Sequence, residues 1–200
     1  MATAIDYYFT PQSPWTYFGH TRFTEMARKA GATVRVLPTD FGKVFPISGG
    51  LPLGQRAPQR QAYRLMELKR FSENLQLQLN IKPAFFPVVG DDAARLIIAV
   101  DQQDGAEVAM RLSAAVFKAV WAEERNIADA AVLAQLLNEQ GLSAERLTQS
   151  RSPDVQQRYQ ANTQQAIDVA VFGAPSYVID GEIFWGQDRL EFVAKKLATK

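Results

Sequence analysis

At 200 residues, the chain has room for one compact unit, or for one unit carrying an inserted second. Its 22 basic and 21 acidic residues leave a net charge of +1 and are mixed along the chain, which excludes a basic stripe for nucleic acid or a polybasic membrane patch. With no cysteine and a single histidine, His20, it cannot exchange disulfides through a thiolate of its own or assemble a zinc cluster, and no metal site is expected. The longest apolar stretch, Leu96-Ile97-Ile98-Ala99-Val100, is far too short to cross a bilayer. No basic-then-apolar leader opens the N-terminus, so a cytoplasmic protein is expected.

Residues 4–9 are rich in Ile, Tyr and Phe and predict a buried strand. A helix is predicted from Pro14 to about Ala30, with proline at a first-turn position where its missing N–H costs nothing. Trp15, Phe18, Phe23, Met26 and Ala27 mark its buried face, and Gly31 its stop. Thr33 to Leu37, closed by Pro38, reads as a second strand, parallel to the first across the helical crossover. Residues 41–54, rich in Gly and Pro, read as a loop. Helices are then predicted over 58–77, 91–102, 104–123, 129–138, 143–148 and 153–171, with N-caps at Asp129 and Ser143 and a stop at Gly141. Asp101, Asp104 and Glu107 are read as a helix break capped by Asp104 rather than as metal ligands. Residues 176–179 and 182–185 flank Asp180-Gly181, a two-residue hairpin signal, and residues 189–198 close the chain as an amphipathic helix.

Two short motifs carry the chemistry. Ser13-Pro14-Trp15-Thr16 stands at the turn from first strand to first helix, where a thioredoxin-type oxidoreductase keeps its Cys-x-x-Cys pair. Ser13 and Thr16 replace the two cysteines. Free N–H groups and the positive end of the helix dipole still favour an anion there, so the turn suits a thiolate arriving on a ligand. Ala174-Pro175 stands just before the third strand. A cis bond there would expose the backbone of Ala174 to a peptide-like ligand, although only about one X–Pro bond in twenty is cis. The element order β-α-β, helical insert, β-β-α is the thioredoxin topology with an insertion.

Residues 9–17 (Phe-Thr-Pro-Gln-Ser-Pro-Trp-Thr-Tyr) resemble the N-terminal signature of 2-hydroxychromene-2-carboxylate isomerases and kappa-class glutathione transferases, relatives of the DsbA proteins. Residues 172–181 and then 184–190 (Phe-Trp-Gly-Gln-Asp-Arg-Leu) resemble their C-terminal signature, and the likeness spans nearly the whole chain. The resemblance implies an α/β fold: a thioredoxin-like domain of residues 1–54 and 172–200, holding glutathione, with an all-helical domain of residues 55–171 inserted and supplying the substrate pocket.

It further implies that Ser13 donates its hydroxyl hydrogen to the glutathione sulfur and is the catalytic residue. Trp15, Ala174 and Pro175 would join it at the cofactor, and Gln187 and Asp188 would receive the γ-glutamyl end. The loop 48–56 lacks the asparagine of kappa-class enzymes, so Arg56 or Arg60 is expected at the glycine end. In such isomerases the thiolate adds reversibly to an acid of aromatic-compound catabolism, a bond rotates, and elimination restores glutathione. Lys82, Arg60 and Tyr63 are candidates for the substrate carboxylate. Phe85 and Phe86 are read as core, with an aromatic wall as the alternative; the three tryptophans are read as core or interface, and His20 as structural. A homodimer is a further implication. The other readings are a kappa-like transferase or peroxidase, told apart by irreversible conjugation, and a redox-inactive thioredoxin-like binding module, told apart by indifference to glutathione.

Overall fold

Five of the six residues of β1 (Ala4–Phe9) are buried, because β1 occupies an inner position in a four-stranded sheet of order β2-β1-β3-β4. A strand covered on both faces reads as an apolar run rather than an alternation. The structure, a computed structural model, describes residues 2–199. β2 (Thr33–Pro38) runs parallel to β1 with Tyr7 opposite Val36. Such a pair needs a crossover, and α1 (Pro14–Lys29) supplies it. β3 (Ser176–Ile179) lies antiparallel to β1 with Tyr177 opposite Tyr7, and β4 (Glu182–Trp185) forms the edge. The hairpin turn has φ of 51° at Asp180 and 81° at Gly181, the pair of positive values that a two-residue turn of this hand demands.

Residues 41–54 depart from the expected loop. Asp40 accepts a hydrogen bond from the Gly42 N–H at 2.9 Å and caps α2 (Phe41–Ser48), and Leu53–Gln55 form a single 3-10 turn. Burial outweighed local composition here: Phe41 and Val44, three apart on one face, join Tyr8, Leu37 and Val178 in an apolar cluster. The helices that follow are α3 (Pro58–Leu75), α4 (Asp91–Asp104), α5 (Ala106–Trp121), α6 (Ala130–Glu139), α7 (Glu145–Gln149) and α8 (Pro153–Asp168). After the hairpin come a 3-10 turn (Gln187–Arg189) and α9 (Leu190–Ala198). Asp129 caps α6 as expected, through the Ala131 N–H at 2.8 Å. Asp104 does not cap α5. Gly105 takes that position, while Asp104 pairs with Arg146 at 2.7 and 2.8 Å.

One apolar cluster joins the sheet (Ile5, Tyr7, Phe9, Tyr177) to α1 and α5 through Phe18, Phe23, Phe117 and Val120. Each such large side chain contributes about 1.5–3 kcal/mol by leaving water. His20 locks α1 to α5. Its Nε2 lies 2.9 Å from the Met110 carbonyl, which only accepts, so Nε2 carries the proton and Nδ1 accepts from the Tyr7 hydroxyl at 3.1 Å. Burial pushes its pKa down to about 4. It is a neutral structural histidine, as expected. Among the described residues no helix is long and apolar enough to cross a membrane.

Candidate active site

Ser13 is the N-cap of α1, with φ −78° and ψ 121°, and its Oγ accepts the Thr16 N–H at 3.2 Å. Pro14 has no N–H to satisfy, and the Trp15 N–H makes no hydrogen bond among the described residues. The Ser13 hydroxyl proton is likewise uncommitted, and only 7% of the residue is exposed. One O–H, one N–H and the positive helix terminus therefore converge where a negative ligand atom gains most. Thr16, at the second cysteine position, is fully buried and its hydroxyl has no partner among the described residues.

These groups open on a cleft of about 1230 Å³, above the roughly 300–1,000 Å³ usual for small-ligand pockets. One part of its lining is Ser13 and Trp15 at the start of α1, Gly173 and Ala174 just before β3, and Trp185 at the end of β4. The Ala174–Pro175 peptide bond is cis, and the N–H and C=O of Ala174 are unpaired among the described residues. Gly173 lets the indole of Trp185 lie close over the backbone, since a methyl there would meet that ring unless it moved; the indole stacks edge-on against Phe172 at 4.8 Å. Trp185 is thus a half-exposed wall residue rather than core.

The rest of the lining comes from α2, the loop after it and α3: Phe41, Phe45, Leu51, Arg56, Arg60, Tyr63 and Arg64, with Phe86 beside them. Asp91 and Tyr159 also face the cleft, and the Tyr159 hydroxyl donates to Asp91 Oδ1 at 3.0 Å. Burial and the Asp91 carboxylate push Tyr159 well above an ordinary phenol, so it stays a neutral donor. Among the described residues no group of three or more His, Cys, Asp or Glu is placed to hold a metal ion.

Of the residues singled out from sequence, Ser13, Trp15 and Ala174 share the cleft wall, and Pro175 is buried behind Ala174. Gln187 and Asp188 are not brought to that wall. The Gln187 side chain turns inward, where its Oε1 accepts from the Arg22 guanidinium and its backbone C=O accepts from Arg22 at 3.1 Å. Gly19 leaves room for it: a Cβ there would stand 2.9 Å from the Gln187 Cβ. Asp188 is exposed and pairs with Arg189 at 2.7 Å. Arg60 and Tyr63 line the cleft, but Lys82 does not. Phe86 forms a wall, whereas Phe85 points to solvent. Arg64, Asp91 and Tyr159 were missed. The helical spacing Arg60–Arg64 was a signal for the first; nothing local ties residue 91 to residue 159.

The DSBA-like thioredoxin domain family matches residues 4–198. The chain is 29% identical over 199 residues to the 2-hydroxychromene-2-carboxylate isomerase of Sphingobium xenophagum, covering 98% of this chain and 99% of that one. It is 27% identical over 195 residues to the enzyme of the same name from Pseudomonas putida, covering 93% and 90%. A solved selenomethionine structure of a 2-hydroxychromene-2-carboxylate isomerase superposes with a TM-score of 0.81 at 25% identity, covering 98% of this chain and 95% of that chain. The cytosolic disulfide reductase DsbM of Pseudomonas aeruginosa shares the fold, with a TM-score of 0.67 at 16% identity and coverage of 98% and 100%. Matched from its first strand to its last helix, the chain belongs to the DSBA-like thioredoxin family.

Proposed function

We propose that this chain is a glutathione-dependent isomerase acting on 2-hydroxychromene-2-carboxylate or a similar acid of aromatic catabolism. The name shared by its curated relatives supports the isomerase class. The observation that carries the cofactor is the uncommitted Ser13 hydroxyl at the start of α1, facing a cleft with the unpaired backbone of Ala174. Those groups fit a peptide-like thiol: a hydroxyl and an N–H for the sulfur, and a donor and acceptor for a cysteinyl backbone.

Glutathione, when bound, supplies the thiolate that adds to the conjugated acid and later leaves it. The chain's own work is to make that thiolate abundant at neutral pH. A free thiol titrates near about 8.5, so roughly one unit of depression, ~1.4 kcal/mol, suffices. Ser13 donates its proton to the sulfur, and its Oγ is oriented by the Thr16 N–H. The Trp15 N–H and the α1 terminus add fixed positive potential. Ser13 is not the nucleophile: His20, the only histidine, is buried with both ring nitrogens engaged. Trp15 and Phe45 keep the reacting region apolar, while cleft space beyond the tripeptide leaves room for a rotating bicyclic acid.

Calorimetric titration of reduced glutathione into wild type and Ser13→Ala, followed in parallel by thiolate absorbance, tests this. Wild type is expected to bind with a thiolate signal and to isomerise hydroxychromene-carboxylate; Ser13→Ala loses the signal and at least about tenfold in turnover. Absence of binding at millimolar glutathione would sink the reading.

A further inference from the structure

Arg64 presents an electrostatic problem that the fold leaves unsolved. Arg60 and Arg64 stand one turn apart on α3 and both line the cleft, and like charges at that spacing repel. Six of the fourteen arginines, at 35, 70, 95, 125, 146 and 189, have carboxylate partners among the described residues. It is therefore burial over aromatic rings in the cleft, and not the lack of a partner alone, that sets Arg64 apart. Neither Arg60 nor Arg64 has one among the described residues. Arg64 is also half-buried, its guanidinium 5.1 Å from the centroid of Phe86 and 5.8 Å from that of Trp121. Burial and the nearby Arg56 lower its pKa to about 10. Arg56 cannot relieve this, since it is itself a cation; its Nε donates to the Leu51 carbonyl at 2.8 Å.

A desolvated cation stacked on aromatic rings, unpaired and flanked by further cations, is stabilised by an anion brought from outside. We propose that Arg64, assisted by Arg60, forms a carboxylate-binding subsite of the cleft that takes a planar aromatic acid. The aromatic contacts hold the guanidinium plane, which leaves its N–H edge for a two-point bond to a carboxylate, a geometry that lysine lacks. That the acid is the isomerase substrate rests on the function proposed above. The same chemistry would accept the glycine carboxylate of glutathione, and the choice of probes separates the two.

The test is calorimetric binding to wild type, Arg64→Met and Arg64→Lys. The probes are chromone-2-carboxylate, uncharged chromone, reduced glutathione and glutathione amidated at its glycine end. Arg64→Met keeps the apolar stem, and Arg64→Lys guards against a folding artefact. The expected result is a weakening of chromone-2-carboxylate by about 10- to 100-fold in Arg64→Met and by less in Arg64→Lys, with chromone unchanged. A matching loss for reduced but not amidated glutathione would place the glycine carboxylate in the subsite instead. Equal affinity of wild type and Arg64→Met for both carboxylate probes overturns the proposal, as does a wild type that binds chromone as well as its carboxylate. A wild type that isomerises its substrate while Arg64→Met binds the acid unchanged leaves the function standing and removes the subsite. Arg64-dependent binding without glutathione-dependent turnover does the reverse.

Discussion

The two walls of the cleft are built differently. On one side Ser13 and Ala174 are carried by a helix terminus and a strand entrance resting on the sheet, above a stack in which Tyr7 and Tyr177 lie 5.4 Å apart and parallel within 1°. On the other, Arg60 and Arg64 project from a helix of which only Leu68 is fully buried. The first wall presents backbone groups and one hydroxyl from rigid support, as a site for a constant cofactor should. The second presents long charged side chains over aromatic rings, a surface that can change with substrate while the fold stands. Under the function proposed above, chemistry would reside with the first group of residues and specificity with the second.

The strongest way to break this division is to remove the backing of the second wall. Trp121 is fully buried and holds Phe86 at 4.8 Å. Trp121→Ala is expected to cost about 3–5 kcal/mol in urea unfolding; a cost below about 1 kcal/mol would mean that this wall is not anchored in the core.

The support of the first wall is tested by pH. The folded pKa of His20, about 4, lies below its ordinary 6.5, because burial disfavours the charged ring. Protons therefore bind the unfolded chain more readily between those values. Stability is fully present above about pH 6.5 and falls as pH drops toward 4, by on the order of 3 kcal/mol. The packing around the ring comes from Tyr7 on β1 and from Met110 and Phe117 on α5. Unfolding midpoints from pH 7 to pH 4.5 should show this decline in wild type and lose most of it in His20→Gln.

Ser13→Asp separates scaffold from chemistry on the first wall. Aspartate caps helices as well as serine, so the thermal midpoint should move by the equivalent of no more than about 1 kcal/mol. A carboxylate beside the thiolate should nonetheless weaken glutathione binding more than about tenfold. Unchanged binding would remove Ser13 from the sulfur site. The smallest effect is expected at the cleft's other polar pair: Tyr159→Phe deletes the donor to Asp91 and should cost about 0.5–1.5 kcal/mol, read by chemical denaturation.

Much of the first wall was legible in the residues. A serine before a proline starts a helix, Asp-Gly between two β-rich runs turns a hairpin, and a β-rich stretch at each chain end closes one sheet; these are preferences within a few residues. The same local preferences misread 41–54, where glycine and proline hid a helix that exists because Phe41 and Val44 reach the sheet's apolar face. Gln187 is expected from the resemblance at the γ-glutamyl end of glutathione, and no local pattern points to its bond to Arg22, 165 positions away.

The sequence by itself determined the order of the strands with α1 between the first two, the absence of a thiolate nucleophile of the chain's own and the helix terminus poised for an anion, because each follows from residue identity or nearest-neighbour backbone physics. Only the tertiary structure decided that Arg64 stands over aromatic rings in the cleft without a carboxylate partner among the described residues, that the Gln187 Oε1 and C=O accept from Arg22, and that Asp91 meets Tyr159. Each of those outcomes depends on which distant side chains arrive within hydrogen-bond or stacking range, and packing rather than local preference settles that.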